Sequence, residues 1–436
     1  MEGSRADKLA ALSHLSITEI ADTVPGSGLD RFTPTSDKPY FDWPEVTSLF
    51  PWIHAGSKAH RLWPIAESST LLKRRWKMLL EAVPRERGSL LRETADRTAS
   101  SKVSPLLTTG GKLTTLSNLD VKDPYEGIEQ YGYRSFDRQW MLSDNRLADR
   151  PRFCLWRVRG RHQNYLTTLT STKLGQGPAL TVTPYVPDID HFRGSYGAKN
   201  VMPLYRDPGG SEPNVADGLL AALSDRLGAA ITAEELLAYV YALGATSAFS
   251  DRFNDELAEA AGPIHIPITA DPALFGEAAD LGRELLWWHT WGERFAPEPG
   301  ARLTAGSAVE VAAVEGMPER FDYDPESETL TVGTGKFAPV SAQAWAFEVS
   351  GLRVLRSWLG YRMKNRKGRK SSPLDDIRPT RWTQTNELLL VLSIVEQTIK
   401  ITPRAADLLD RVVDGPLIAA SDLPSPTEAN CKPPRL

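Results

Sequence analysis

The spacing of hydrophobic positions along the chain predicts a series of amphipathic helices. The first begins near Ser69, where apolar side chains recur three or four residues apart and basic side chains occupy the opposite face. Capping residues mark the beginnings of two later helices, at Thr232 and at Asp271. Further helices are predicted at 214–227, after Gly351, at 387–400, and from Thr402 and Pro403 onward.

Two other stretches have the pattern of β-strands. Residues 131–206 contain short apolar runs broken by Gly and Pro, and residues 309–332 alternate between apolar and polar positions. Residues up to about 65 show little periodicity but carry aromatic–proline pairs, which suits an extended arm that packs on a neighbouring domain. The order arm, helix, β, helices, β, helices predicts an α+β fold rather than a doubly wound sheet.

Composition places the 436-residue chain among globular proteins, with 41% hydrophobic and 24% charged residues. Its length predicts two or three domains. No apolar run reaches the roughly 18 residues of a membrane span, and the opening segment lacks a signal-peptide core, so we expect a cytoplasmic protein. The two cysteines and seven histidines show no metal-ligand spacing, so we expect no metal site.

Charge is distributed unevenly along a chain whose formal net charge is -4. From Tyr131 to Tyr165 there are eight arginines against three aspartates, and 361–370 contains six basic residues and no acid. By contrast, 251–328 contains 17 acidic residues against five arginines. Because a locally positive surface on a mildly acidic protein is typical of nucleic-acid binding, the two basic segments favour DNA as a partner.

The candidate DNA contacts lie in these two basic segments. Arginine and lysine neutralise phosphates and release counterions, and an arginine that reaches a groove can also pair with guanine. A solvated loop is the alternative interpretation of the tract 362–370. The candidate contacts are Arg157, Arg159, Arg161, Arg362, Lys364, Arg366, Lys367, Arg369 and Lys370.

Arginine also alternates with aromatic residues between Tyr133 and Trp140. Such a run suits a surface that neutralises phosphates and stacks on flat groups. It suits equally a buried strand in which Arg134, Asp137 and Arg138 form internal ion pairs. Both interpretations stay open at this point.

The sequence contains no recognisable catalytic motif. The run Gly333–Lys336 resembles a phosphate-binding loop, but Phe337 follows the lysine where that loop requires Ser or Thr, so we interpret the run as a hairpin turn. No Asn/Asp-Pro-Pro-aromatic motif of an amino-methyltransferase and no GxSxG nucleophile elbow occurs. The sequence therefore assigns no catalytic residue, and whether the chain is an enzyme stays open.

The run from Tyr133 to Trp140, followed by Arg150 and Pro151, resembles a recurrent Tyr-Arg-Pro-Phe-Asp…Trp signature. This signature follows the methyltransferase domain in type ISP (single-polypeptide) restriction–modification enzymes and in related type II enzymes that fuse a nuclease to a methylase. Ser135 replaces the proline of the signature, which affects local backbone geometry. The resemblance implies a mainly structural role for the signature residues Tyr133, Arg134, Phe136, Asp137, Arg138 and Trp140.

Other segments resemble the same family in the same order, so that the resemblance covers nearly the whole chain. It implies an aromatic extended N-terminal arm, a helical coupler bundle and a mixed β/α target-recognition domain. The implied parts are a post-methylase docking arm and helix (1–117), a β-rich first part of the recognition domain (118–210), a helical coupler segment (211–300), a second β and then helical part (301–425) and a flexible tail (426–436).

The resemblance implies sequence-specific recognition of double-stranded DNA for an adenine methyltransferase in a phage-defence restriction–modification system. S-adenosylmethionine, Mg²⁺ and ATP are expected only on missing or partner domains, and no cofactor is expected in this chain. The expected partners are duplex DNA and a methyltransferase domain or subunit, together with nuclease or ATPase components. Two alternatives stay open: a subunit that docks on a methylase through its aromatic arm without reading sequence, and a self-sufficient hydrolase or transferase.

Overall fold

The computed structural model describes residues 39–195, 200–259, 261–366, 368 and 372–435. Helices and small antiparallel sheets alternate along them, which confirms the α+β fold class. The α-helices are α1 (Val46–Leu49), α2 (Ser69–Glu81), α3 (Arg87–Leu91), α4 (Phe153–Arg157), α5 (Leu219–Leu227), α6 (Ala233–Gly244), α7 (Ser247–Arg252), α8 (Asn254–Glu259), α9 (Pro272–His289), α10 (Ala342–Ala346), α11 (Val354–Gly360), α12 (Thr385–Asp414) and α13 (Glu428–Cys431). The strands are β1 (Ile65–Ala66), β2 (Ile128–Arg134), β3 (Asp137–Leu142), β4 (Tyr165–Thr168), β5 (Thr181–Thr183), β6 (Asn200–Pro203), β7 (Val309–Ala312), β8 (Phe321–Asp324), β9 (Thr329–Val332), β10 (Gly335–Ala338), β11 (Glu348–Val349) and β12 (Leu352–Arg353).

The helix beginnings predicted from capping residues are confirmed. The hydroxyl of Thr232 accepts the backbone N–H of Glu235, whose carboxylate in turn accepts the N–H of Thr232, and this capping box starts α6. The carboxylate of Asp271 accepts two N–H groups at the start of α9, with Pro272 at its first position. Such caps satisfy N–H groups that have no partner within the helix.

The structure corrects one prediction, because α12 is a single helix rather than two. The sequence predicts a new helix at Pro403, since proline cannot donate to the carbonyl four residues before it. In the structure, Thr402 donates its hydroxyl to Thr398 O inside the continuing helix instead of capping a new one. Ile401 and Leu408, on either side of the proline, are buried in the same hydrophobic core, and this burial offsets the roughly 3 kcal/mol that an internal proline costs.

A hydrogen-bonded chain of side chains connects α6, α9 and α12 in the interior. Tyr241 donates its hydroxyl to His289 Nδ1 at 2.6 Å, and His289 Nε2 lies 2.8 Å from Thr398 Oγ1. Because Thr398 already donates to Ile394 O, the imidazole donates from Nε2 and accepts at Nδ1. Burial lowers the pKa of His289 to about 3, so the ring is neutral in the core.

The described part of the aromatic arm is built into the fold. Trp43 packs edge-on against Phe253 with the ring centroids 5.3 Å apart, and Trp52 and Trp63 are fully buried. Strand β1 within the arm pairs antiparallel with β3. Residues 1–38 of the predicted arm lie outside the described residues.

The described residues contain four small sheets, and the predicted β-regions 131–206 and 309–332 supply most strands of three of them but not β1, β10 or the β11–β12 hairpin. Strands β1, β2 and β3 form a sheet in the order β1-β3-β2, and the second sheet has the order β5-β4-β6. A meander in the order β7-β10-β9-β8 and the β11–β12 hairpin follow. Between β9 and β10 the chain turns at Gly333, whose φ is +60°, so this run is the expected hairpin turn. Helix α4 interrupts the first β-region and is not predicted by the sequence.

In the described ranges no helix is both long and apolar enough to cross a membrane. The division of the chain at residues 117, 210, 300 and 425 stays a prediction. Because β1 comes from the first proposed part and β3 from the second, these two parts share one sheet.

Candidate nucleic-acid interface

The hairpin β2–β3, which carries the signature, places charged side chains inside the protein. Arg134 Nη1 donates to Asp188 Oδ1 at 2.9 Å, and its guanidinium lies 4.0 Å from the centroid of the Tyr133 ring. Asp137 accepts a hydrogen bond from Arg362 Nη2 at 2.7 Å. All five residues are buried. These side chains therefore connect elements of the fold rather than face a ligand.

Arg138 extends the same pattern on the other side of the hairpin. It donates to Glu387 at 2.8 Å and to Glu293 at 3.0 Å, and it lies 4.5 Å from the centroid of the Trp291 ring. The ion pairs of the hairpin thus run to distant segments and not between its own residues.

The turn between β2 and β3 consists of Ser135 and Phe136. Phe136 has a φ of +59°, a left-handed conformation that residues other than glycine rarely adopt, and its ring packs edge-on against His289 at 4.8 Å and Phe347 at 5.5 Å. Ser135 donates its backbone N–H to His191 O at 2.7 Å. Proline has no N–H, so the serine at this position adds a hydrogen bond that the proline of the signature cannot make.

Two arginines of the basic tract, Arg362 and Arg366, point inward. In addition to its ion pair with Asp137, Arg362 lies 3.8 Å from a ring centroid of Trp358. Arg366 donates to Ile65 O at 2.7 Å. Because both arginines are buried and bound to the protein itself, we do not retain them as DNA contacts.

A further buried arginine converges on the same carbonyl. Arg75 from α2 donates to Ile65 O at 3.2 Å. Burial, with Arg366 nearby, lowers the pKa of Arg75 to about 9, which still leaves the guanidinium charged at neutral pH. Backbone oxygens thus hold buried positive charge in this part of the fold.

The remainder of the tract offers one described candidate. Lys364 is exposed and forms an ion pair with Glu319, which is also exposed. Lys367, Arg369 and Lys370 lie outside the described residues. Among the described residues, a phosphate contact in the tract therefore depends on Lys364.

Helix α4 and the loops on either side of it carry five arginines, which we call the arginine surface. Its members are Arg150, Arg152, Arg157, Arg159 and Arg161. The chain enters α4 through Arg152, whose φ is +55°. No acidic residue occurs between Arg150 and Arg161, so carboxylates can reach this surface only from other segments.

The carboxylates that do approach the arginine surface lie at long distances. Arg150 is 3.7 Å from Asp96, and Arg159 is 4.0 Å from Glu129. Arg161, which is exposed, donates to the neighbouring His162 at 2.8 Å. The Nε atoms of Arg152 and Arg157 are buried and have no hydrogen-bond partner among the described residues. Because the carboxylates stay at 3.7 Å or more and Arg150 and Arg161 are exposed, this surface keeps much of its positive charge available to a ligand.

A groove of about 710 Å³ lies beside the arginine surface. Arg157, Arg159 and Arg294 line it together with the aromatic rings of Trp140 and Tyr185. Sequence reasoning did not identify Arg294 or Tyr185 as part of a site. Tyr185 lies in a Pro-Tyr-Val-Pro run, and an aromatic residue between prolines is a weak sequence signal of a binding site. The sequence around Arg294 contains no such signal.

Arg366 and the groove contact opposite edge strands of the sheet β1-β3-β2. Arg366 donates to Leu62 O and Ile65 O at the β1 edge. The groove beside the arginine surface is lined by Glu129 and Gln130 of β2. Two strand spacings of about 4.8 Å separate these edges by roughly 10 Å.

Three potential metal ligands that the sequence did not group together meet in space. The ligand atoms of His60, Asp96 and Asp149 lie within 4.8 Å of one another. Asp149 is 2.8 Å from His60 Nδ1 and 2.7 Å from Arg61 Nη1, while Asp96 faces Arg150 at 3.7 Å. Since arginines already pair both carboxylates, we interpret the cluster as an ion-pair network.

Residues 48–392 match the family model of the Type ISP C-terminal specificity domain. The chain belongs to this family. The match covers most of the chain and confirms the resemblance that the signature run and the segments around it indicated. In a restriction–modification enzyme, a Type ISP specificity domain serves recognition of the DNA target.

Solved structures with a fold similar to that of this Type ISP specificity domain include large enzymes bound to DNA. A DrdV–DNA complex has a TM-score of 0.57 at 15% identity, covering 94% of this chain and 42% of that chain. A nuclease-deletion mutant of the Type ISP restriction–modification enzyme LlaGI, in complex with a DNA substrate mimic, has a TM-score of 0.52 at 13% identity, with coverages of 89% and 30%. The ATP-dependent Type ISP restriction–modification enzyme LlaBIII bound to DNA has a TM-score of 0.57 at 14% identity, with coverages of 91% and 25%.

At these identities the likeness establishes the fold alone. The Type ISP specificity domain described here spans less than half the length of each of the three chains. No curated protein sequence matches the chain.

Proposed function

We propose that this Type ISP specificity domain recognises a target sequence in duplex DNA through its arginine surface, for an adenine methyltransferase of a phage-defence restriction–modification system. The observation that carries the proposal is the group of five arginines around α4 without an intervening carboxylate. Positive charge that the protein does not neutralise itself is available to phosphates, whose neutralisation supplies most of the affinity for DNA. The three enzymes of similar fold are themselves described as bound to DNA or a DNA mimic.

The arginines of this surface have two roles in the proposal. Contacts to phosphates fix the register of the protein on the duplex, whereas contacts to base edges read the sequence. Arg161 is exposed in the loop after α4, where its side chain can enter a groove of the duplex. An arginine that pairs with guanine adds about 1–3 kcal/mol of discrimination. Lys364, which lies beside Glu319, is a separate proposed phosphate contact.

The chemistry that follows recognition is assigned to other domains or subunits. No catalytic motif occurs in this sequence, so methylation and cleavage require a methyltransferase with nuclease and ATPase components as partners. S-adenosylmethionine, Mg²⁺ and ATP would bind to those parts. We propose that the assembly acts on DNA in the cytoplasm.

Docking on a methylase through the aromatic arm receives less support. Trp43 and Trp52, the side chains that would carry such docking, are 7% and 0% exposed and pack inside this chain. Exchanging them for alanine would disturb the fold before it disturbed a partner. The described arm therefore favours an internal structural role.

Selection from a randomised duplex pool tests the proposal directly. We expect the full chain to enrich a defined sequence, with affinity that weakens between low and moderate salt. A variant with Arg157, Arg159 and Arg161 changed to glutamine should lose the enrichment. A pool that stays random after repeated rounds with the folded wild-type chain, or binding that salt does not weaken, would contradict the proposal.

A further inference from the structure

The groove beside the arginine surface has aromatic walls, which phosphate binding alone does not require. Trp140 comes from β3 and Tyr185 follows β5, and both rings are partly exposed. Trp156 lies beneath them, fully buried and parallel to Tyr131 with the ring centroids 6.2 Å apart. The floor is therefore firmly packed, while two aromatic side chains stay accessible at the walls.

The wall formed by Tyr185 is held in a fixed orientation. Its hydroxyl accepts a hydrogen bond from Arg138 Nη1 at 3.2 Å and donates to Glu293. Because the hydroxyl is bound to Arg138 and Glu293, the ring itself is the part of Tyr185 that stays available to a ligand in the groove. A ring fixed in this way loses little conformational entropy when a flat ligand stacks on it.

Guanidiniums surround the aromatic walls. Arg159 Nη1 donates to Trp156 O at 2.7 Å, and Arg294 donates to Gln163 O at 3.3 Å and Gly160 O at 3.1 Å, so both are positioned by carbonyls. Arg157 has a buried Nε without a hydrogen-bond partner among the described residues. The two carbonyl-held arginines also lie near carboxylates, Arg159 at 4.0 Å from Glu129 and Arg294 at 3.9 Å from Glu293. At these long distances the guanidiniums still suit an anion at the mouth of the groove.

A second polar group without a partner lines the groove. The side-chain Oε1 of Gln130, on the edge strand β2, is buried and has no hydrogen-bond partner among the described residues. A buried acceptor in this condition costs free energy unless a ligand satisfies it. The exocyclic amine of adenine or cytosine can donate a hydrogen bond to such an acceptor. A glutamine carboxamide is a known hydrogen-bond partner of adenine.

The size of the groove excludes a duplex but admits a single nucleotide. Its volume of about 710 Å³ lies within the range of small-ligand sites, roughly 300–1,000 Å³. In a duplex, the faces of the bases are stacked on one another and cannot contact the walls of a groove. An unpaired nucleotide offers a flat ring for aromatic stacking and a phosphate for arginine, the combination found in single-strand binding sites.

We propose that this groove binds an unpaired nucleotide of DNA whose base carries an exocyclic amine, with the ring on Trp140 and Tyr185, the amine on Gln130 and the phosphate on Arg157. This site rests on the proposed function in that DNA held by the arginine surface would deliver the unpaired nucleotide. It differs from that function in its ligand, because the groove accepts a base that has left the duplex.

Binding of short labelled single strands to the full chain, followed by fluorescence anisotropy at low salt, tests the site. We expect an eight-nucleotide oligo-dA to bind at least about 5-fold more tightly than oligo-dT. Gln130→Leu should abolish this preference, and Arg157→Gln should lower the affinity for both oligo-dA and oligo-dT. Trp140→Ala should lower the affinity for oligo-dA by about 10-fold, which is within the range measured for stacking of one base. Trp140→Phe should keep most of the wild-type affinity, because phenylalanine still offers an aromatic ring.

Matched controls separate this site from the proposed function. Arg74→Gln changes an exposed arginine on α2 and should leave single-strand binding unchanged, and thermal melting verifies that each variant is folded. Equal binding of oligo-dA by wild type, Gln130→Leu and Arg157→Gln would overturn the site even if duplex selection succeeds. Binding of oligo-dA through these residues without enrichment of any duplex would overturn the proposed function and leave the site intact.

Discussion

The arginine surface and the basic tract are alike in sequence and opposite in structure. Each concentrates arginine within about a dozen residues and contains no carboxylate of its own. In the tract, Arg362 and Arg366 are buried and bound to Asp137 and to backbone carbonyls. On the arginine surface, Arg150 and Arg161 are exposed, and the carboxylates that approach Arg150 and Arg159 stay at 3.7 and 4.0 Å.

The difference shows that the supply of acceptors decides the role of an arginine. A buried guanidinium is tolerated only where carboxylates or carbonyls satisfy it, and those acceptors then fix it as part of the fold. Where no acceptor comes close, the same side chain stays in contact with solvent and keeps its charge for a ligand. Positive charge density in the sequence therefore identifies both kinds of segment without distinguishing them.

Removing a buried cation should have the largest effect on the free energy of unfolding. It is therefore the strongest test of the difference between the two basic segments. Arg362→Ala leaves the carboxylate of Asp137 buried without its partner, which costs about 3–5 kcal/mol of the free energy of unfolding. Arg157→Ala is the matched change on the arginine surface and removes a cation–π contact to Phe153, at 5.2 Å from the ring centroid, which costs less than about 1 kcal/mol of the free energy of unfolding. Chemical unfolding curves of the two variants measure this difference. Equal decreases in the free energy of unfolding would contradict the assignment of Arg362 to the interior of the fold and of Arg157 to a ligand-binding surface.

A change of pH should have an intermediate effect on stability, and it distinguishes the buried interior from the arginine surface. Burial lowers the pKa of His191 and of His289 to about 3, against about 6.5 in the unfolded chain. Between these values the unfolded protein binds protons that the folded protein does not, so the free energy of unfolding falls as the pH drops below about 6.5. We expect the melting temperature to fall from pH 7 to pH 5, and to fall less steeply in His289→Gln.

The arginine surface provides the internal contrast for the pH experiment, because guanidiniums stay charged over this whole range. Salt-dependent duplex binding by the folded chain should therefore change little between pH 7 and pH 6. A melting temperature that is flat from pH 7 to pH 5, or equally steep in wild type and His289→Gln, would contradict the assignment of a neutral buried imidazole.

The smallest effect is expected at Lys364, the exposed member of the basic tract. Both side chains of its ion pair with Glu319 are exposed, and exposed ion pairs contribute little to stability. Lys364→Ala should leave the melting temperature unchanged and reduce the slope of log K against log salt by up to about 0.9, the value for one phosphate. Glu319→Ala is the control, since it leaves the lysine in place. A loss of stability approaching that of Arg362→Ala would assign Lys364 to the scaffold.

Local features of the fold were predictable from the sequence because short-range chemistry determines them. The capping box at Thr232, the cap at Asp271 and the hairpin turn at Gly333 each depend on residues within a few positions of one another. Helix α12 departs from this rule, because tertiary packing on both sides of Pro403 overrides the local preference for a break.

The candidate site was less predictable because contacts between distant parts of the chain decide which basic residues are buried and which line the groove. Arg362 meets Asp137 across 225 positions, and Arg366 meets Ile65 across 301. Tyr185 joins the groove from beyond β5, with no local signal of that destination. Patterns of nearby residues reveal which segments are basic, but only the packing reveals which of them is already satisfied.

The salt dependence of duplex binding, compared between two charge-matched triple variants, tests DNA recognition through the arginine surface most directly. One variant changes Arg157, Arg159 and Arg161 to glutamine, and the other changes Lys73, Arg74 and Lys77, three exposed residues of α2, to glutamine. We expect the first to lower the slope of log K against log salt by up to about 0.9 for each phosphate that it no longer neutralises, and the second to keep the wild-type slope. Equal slopes in the two variants, whether both reduced or both unchanged, would contradict a specific role for the arginine surface.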